Sequence, residues 1–318
     1  MSQVDARRLC REVLAANSRS FDLASRLLPT DCRDDAASVY AWCRRVDDAI
    51  DLVSGSEQPA ALERLRQELS AIYAGVAQTD PVLQAFQQVV QERGIPQQYP
   101  SELLLGMEMD VLNQRYETLD DLLTYCYRVA GVVGLMMSHV MGVTDAAALR
   151  RAAHLGMGMQ LPNICRDVAE DWGLKRLYVP RALLVERNAA WLAERLGKDG
   201  ATLPEEARVP LAQITRELLE EARRYYRSGE HGTSALGWRC ALAIRTASRV
   251  YAAIGTELAA RGYDVLRGRA VVPTAVKLLH VGRVLIRGLL ELPRRLLHRP
   301  SPVPLPSPLS YPRDVLPV

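Results

Sequence analysis

Gln160-Leu161-Pro162-Asn163-Ile164-Cys165-Arg166-Asp167-Val168-Ala169-Glu170-Asp171 is the stretch on which the reading of this chain turns. Asn163, Asp167 and Asp171 stand four residues apart, so on a helix they form one ladder. Around them, residues 146–170 carry apolar side chains at three- and four-residue spacing, the helical period. A matching cluster lies some 120 residues upstream, in Arg44-Arg45-Val46-Asp47-Asp48-Ala49-Ile50-Asp51. There Asp47 and Asp51 share a face, Arg44 sits one turn before Asp48, and Tyr40 extends the stripe upstream.

A solvated helix face is the ordinary reading of two acids at this spacing. Three details weigh against it. Like charges one turn apart repel by a few tenths of a kcal/mol, and no lysine lies one turn from Asp47, Asp51 or Asp167 to relieve it. Both clusters lie in strongly apolar helices, where a charge is costly unless paired or metal-bound. Each also places an arginine beside its acids. Hard carboxylate oxygens suit Mg²⁺, and Mg²⁺ with arginine suits a diphosphate.

The helical period extends outward over almost the whole chain, in 32–53, 59–76, 119–141, 205–227 and 236–261. No run alternates β-branched and polar residues between turn signals, so the fold class is all-α. Breaks are expected at Gly55, Pro81, Gly94 to Pro96, Pro100, Pro180, 197–200 and Pro204. Gly156 and Gly158 stand in a helical segment with no preceding strand and read as close helix packing rather than a phosphate loop. One helical domain over 1–298 is expected, followed by a Pro-rich, solvated tail over 299–318.

Composition excludes several classes. The 318 residues include 40 Lys+Arg and 37 Asp+Glu, a net charge of +3 that gives no reason to expect nucleic-acid binding. The six cysteines are scattered singly, which points to free thiols in the cytoplasm rather than a disulfide framework. The N-terminus lacks the apolar core of a signal peptide. The most apolar run, 129–143, is shorter than the roughly 20 residues of a membrane-spanning helix. The histidines have no zinc-ligand spacing, and no dinucleotide, P-loop or nucleophile-elbow motif is present.

Taken together, Ser18-Arg19-Ser20-Phe21, Tyr40-Ala41-Trp42-Cys43-Arg44 with the first acidic cluster, and Tyr125 to Gly134 resemble the squalene/phytoene synthase family. So does the second acidic cluster, followed by Arg176-Leu177-Tyr178-Val179-Pro180. The resemblance runs in order from about residue 10 to 285, and within the family it is strongest to bacterial phytoene-forming members. It implies an isoprenoid-synthase fold around a central cavity and a Mg²⁺-dependent, head-to-head joining of two prenyl diphosphates. By position, Asp47, Asp51, Asn163, Asp167 and Asp171 would bind Mg²⁺, with the four aspartates, Tyr40 and Arg44 catalytic. Ser18, Arg19, Ser20, Phe21, Gln160 and Arg166 would contact substrate, and Arg249 is a further diphosphate candidate. Val132, Val133, Leu135, Met136 and Met137 are candidates for the wall around the prenyl tails.

Pro162 departs from the family pattern, which has Thr or Ser there, and a kink is expected just before the metal ligands. The resemblance implies phytoene from geranylgeranyl diphosphate. The rival products are squalene or dehydrosqualene from farnesyl diphosphate, and a non-catalytic scaffold of the same fold is the reading from a different class. Residues 267–299 carry eight Lys/Arg and one acid, a local charge of +7. On a helical wheel Lys277, His280, Arg283, Arg287 and Glu291 share an arc, apolar residues fill the rest, and Pro293 is expected to end the run. Such a helix either closes the domain or lies peripherally on anionic lipid at the inner face of the membrane.

Overall fold

The computed structural model describes residues 3–198, 202–297 and 315, and its regular elements are all helical. The first half contains α1 (Gln3–Asn17), α2 (Arg19–Ser25), α3 (Thr30–Asp51), α4 (Gln58–Tyr73), α5 (Pro81–Glu92), α6 (Gln98–Val111) and α7 (Leu119–Cys126). The second contains α8 (Val132–Val140), α9 (Ala146–Gly173), α10 (Arg181–Glu186), α11 (Trp191–Arg195), α12 (Arg208–Gly232), α13 (Trp238–Ala260) and α14 (Thr274–Leu297). Local chemistry sets many of these boundaries. Asp80 and Asp145 accept from backbone N–H groups in the first turns of α5 and α9, and Thr118 with Asp121 forms a capping box on α7. After α8 the chain turns at Gly142, whose φ of 73° lies in the left-handed region that glycine occupies without strain.

Three expectations, for residues 119–141, Pro100 and Pro293, are corrected. Residues 119–141 are not one regular helix, because a π-helical turn over Tyr127–Gly131 separates α7 from α8. Pro100 is not a break; it sits in the first turn of α6, where a missing N–H has no intrahelical acceptor to lose. Pro162 lies inside α9, which continues to Gly173 and keeps Asn163, Asp167 and Asp171 on one helix. Pro293 does not end α14, which continues to Leu297. The expected tail lies outside the described residues except for Val315, which is buried and accepts a hydrogen bond from the His154 ring.

α9 is the central strut, packed against α8, the π turn, α12 and α13. Its approach to the π turn depends on Gly156, where a Cβ would lie 2.2 Å from the Ala130 carbonyl oxygen. α12 runs antiparallel to α9, with Gly158 against Tyr225, Leu155 against Gly229 and Arg151 against Gly232. The glycines therefore do serve close packing. α3 is anchored on the other side of the core, where Trp42 stacks on Phe86 at 4.3 Å. The last turns of α3 and the second half of α9 carry the two acidic ladders.

Candidate active site

Each ladder is a run of carboxylates on an otherwise buried helix, and the two become coupled through a residue that sequence reasoning missed. Asp110, near the end of α6, accepts hydrogen bonds from the Tyr178 hydroxyl at 2.7 Å and the Tyr125 hydroxyl at 3.0 Å. Burial raises its pKa, against the pull of those two hydroxyls. Its charge in turn acts on both ladders. The Asp47 carboxyl is pushed up to about 7, first by burial, then by Asp51, with Asp110 and Asp48 adding and Arg44 opposing. Asp171 is likewise pushed up to about 7, by burial, Asp167 and Asp110 against Arg176. One half-buried carboxyl from each ladder thus feels the Asp110 charge as well as that of its own ladder neighbour.

Arginines bind the outer acids. Arg44 pairs with Asp48 through Nε at 3.1 Å, as the one-turn spacing predicts, rather than with Asp47. Arg176, just beyond α9, reaches back across the site to Asp51 at 3.0 Å. Arg166 grips its neighbour Asp167 with both branches, at 2.8 and 2.5 Å. Arg269, between α13 and α14, adds contacts of 3.3 Å to Asp167 and 3.1 Å to Glu170. Sequence reasoning did not single out Arg176 or Arg269 as site residues; each lies outside both ladders, and only chain folding brings it there. Arg249 goes elsewhere, pairing with Glu230 of α12 at 2.7 Å.

Beside Arg166 lies an aromatic corner. Phe21 stacks on Tyr251 at 4.8 Å and meets Tyr40 edge-on at 6.0 Å. Ser18 caps α2 by accepting from the Phe21 N–H at 3.2 Å. Burial pushes the Tyr40 phenol up to about 12, so at neutral pH it stays protonated. Arg19 is exposed and Ser20 half-buried on α2. Gln160 accepts from the Asn163 side-chain amide at 3.4 Å. Among the proposed wall residues, Val132, Leu135 and Met136 are fully buried core, whereas Val133 and Met137 are only partly buried.

The donor set meets the needs of a hard divalent cation. The ladders supply only oxygen ligands, and the Asn163 Oδ1 is buried without a hydrogen-bond partner. Among the described residues no three His, Cys, Asp or Glu side chains gather around one point. The chemistry of the ladder oxygens suits such an ion only with further oxygen ligands supplied from outside the chain.

Helices that hold two acidic ladders, each beside arginines, near a half-buried aromatic corner define an isoprenoid-synthase architecture. Two solved structures share it: a dehydrosqualene synthase with a TM-score of 0.79 and 26% identity, covering 90% of this chain and 97% of its own, and a squalene synthase from Alicyclobacillus acidocaldarius with a TM-score of 0.72 and 26% identity, covering 82% and 96%. The chain belongs to the squalene/phytoene synthase family, whose pattern matches residues 14–275. It is 40% identical over 277 residues to a 15-cis-phytoene synthase of Pantoea ananas, spanning 84% of this chain and 87% of that one. A 15-cis-phytoene synthase of a Paracoccus strain is 36% identical, over 84% and 86%.

Proposed function

We propose that the chain is a 15-cis-phytoene synthase, joining two geranylgeranyl diphosphates head to head. The observation that carries this reading is the Arg176–Asp51 ion pair at 3.0 Å, which ties the chain just beyond the second ladder to the first, with the Asp110 charge felt by Asp47 and Asp171 alike. Asp47, Asp51, Asn163, Asp167 and Asp171 would hold Mg²⁺, which when bound neutralises the diphosphate leaving group.

The chain's own residues account for the rest. Arg166, Arg176 and Arg269 stand beside the acids with guanidinium forks that match diphosphate oxygens. Departure of diphosphate from the first substrate leaves an allylic cation. The faces of Phe21, Tyr40 and Tyr251 exclude water from it and offer π-electron density. The double bond of the second substrate attacks this cation, and loss of a proton closes a cyclopropyl diphosphate. A second departure of diphosphate, rearrangement and loss of another proton give phytoene. Tyr40 remains a protonated donor rather than the base, and a released diphosphate oxygen is left to accept the final proton. Val133 and Met137 offer apolar surface to the prenyl tails, whereas Val132, Leu135 and Met136 serve the core.

The test is incubation of purified protein with Mg²⁺ and either farnesyl or geranylgeranyl diphosphate, followed by identification of the hydrocarbon. Phytoene, abolished by a chelator, is the expected product. Squalene or dehydrosqualene would transfer the chain to the farnesyl-using branch, and no turnover would leave a scaffold.

We also infer a cytoplasmic location with peripheral contact at the inner face of the membrane through α14. The six free cysteines support a reducing compartment, and no helix among the described residues is long and apolar enough to cross a bilayer. Arg283→Gln with Arg287→Gln is expected to weaken salt-sensitive binding to anionic vesicles.

A further inference from the structure

At the opposite end of α9 the charge reverses. A cleft of about 660 Å³ is lined by Arg151 of α9, Arg227 and Glu230 of α12, Arg245 of α13 and Arg287 of α14. The acids nearby are already engaged. Glu230 pairs with Arg249 at 2.7 Å and Arg287 at 3.7 Å, and Glu291 pairs with Arg245 and, at 3.1 Å, with Arg287. Arg151 and Arg227 are exposed and make no hydrogen bond or ion pair with a described residue. Arg151 and Asp167 are sixteen residues apart on one helix, which at 1.5 Å per residue separates the cleft from the acids by ~24 Å.

Beside this cleft α14 packs on α13 with one face and leaves apolar residues exposed on the other. Among its described side chains, Val284 and Gly288 are buried, the latter against Leu242. Leu278, Leu279, Ile286, Leu289 and Leu290 are 51–76% exposed, forming one outward apolar strip. By helical geometry Arg283 and Arg287 lie on the flank of that strip facing the cleft. An outward apolar strip of this length is the mark of an interaction surface. The arginines beside it select its occupant, since guanidinium forks match phosphate oxygens and an interfacial helix seats its apolar face just below the headgroups.

We infer that the arginine cleft binds the phosphate of an anionic lipid headgroup, with the outward strip of α14 lying in the acyl boundary beside it. This rests on the peripheral membrane contact proposed above and moves its anchor from the exposed arginines of α14 to a site built by four helices. Contact in this orientation would hold the protein against the phase in which prenyl tails and hydrocarbon product dissolve, at a site apart from the catalytic acids.

The full chain is tested by co-sedimentation with vesicles of phosphatidylglycerol in phosphatidylcholine, and with phosphatidylcholine alone. Wild type is expected to bind the anionic vesicles. Arg151→Gln with Arg227→Gln should weaken that binding about thirtyfold, about fivefold for each arginine near an anionic surface. Arg151→Lys with Arg227→Lys should largely restore it, and Ile286→Ser with Leu290→Ser should release the protein while turnover of detergent-dispersed substrate stays unchanged. Equal binding of wild type and the double Gln variant would overturn the cleft site and leave the α14 contact standing. Wild type that binds neither vesicle would overturn both. Calorimetric binding of inorganic diphosphate that is lost in the double Gln variant, with vesicle binding unchanged, would overturn the lipid assignment in favour of a free phosphate ion.

Discussion

The two ends of α9 both crowd like charges, but they do so in different surroundings. At the C-terminal half Asp47 and Asp171 are partly enclosed, and although Arg166, Arg176 and Arg269 contact the acids around them, both are still held near 7. At the N-terminal end Arg151 and Arg227 are exposed and water screens them. Repulsion grows as the effective dielectric falls, so the enclosed acids store far more of it than the open arginines. On the proposed function, the acidic end would be relieved of this repulsion by a cation bound with diphosphate. The basic end folds at little cost and gains only when an anionic surface comes to it.

Removing an acid is the most severe way to break this contrast. Asp47→Ala or Asp167→Ala is expected to lower product formation by about a thousandfold or more, with the far-ultraviolet helical signal unchanged. Near-normal turnover in either variant would return the ladders to the status of solvated helix faces.

The middle of α9 keeps its two ends in register. Gly156→Ala places a methyl group 2.2 Å from the Ala130 carbonyl oxygen, backbone against backbone. A loss of about 3 kcal/mol is expected in denaturant unfolding. An unchanged midpoint would mean that the π turn yields freely.

A smaller effect has the opposite sign. The folded chain holds a proton on Asp47 up to about pH 7, whereas an unfolded Asp releases it near pH 4. The folded state thus binds more protons across that window, and its stability falls as pH rises through it. Asp47→Asn should therefore stabilise the metal-free protein above pH 7 by on the order of 2 kcal/mol while inactivating it. Arg227→Gln should shift stability by less than about 0.5 kcal/mol in either direction. Equal shifts at the two positions would erase the distinction between enclosed and open charge.

The smallest expected effect is none. With no dinucleotide-binding motif in the sequence, NADPH should change neither rate nor product. A reduced hydrocarbon formed only with NADPH would add redox chemistry to the acidic end and overturn the phytoene assignment.

What could be read in advance was local. Periodicity identified the long helices, four-residue spacing aligned Asp47 with Asp51 and Asn163 with Asp167 and Asp171, and one-turn spacing paired Arg44 with Asp48. Gly156 and Gly158 could be read as contact points because a missing side chain inside a helix serves close approach. Arg249 shows the limit of motif proximity: two residues from Tyr251, it projects to Glu230 instead of the acids.

The sequence by itself therefore determined an all-α chain with two acidic ladders, since helical period and face are set by residues within a few positions of one another. Only the tertiary structure decided that the Asp110 charge reaches both ladders, that Arg269 pairs with Asp167 and Tyr251 stacks on Phe21, and that α14 turns leucines outward beside an arginine cleft. These relations join residues tens to hundreds of positions apart. Their charge, burial and orientation depend on which helices pack together, and no local spacing encodes that.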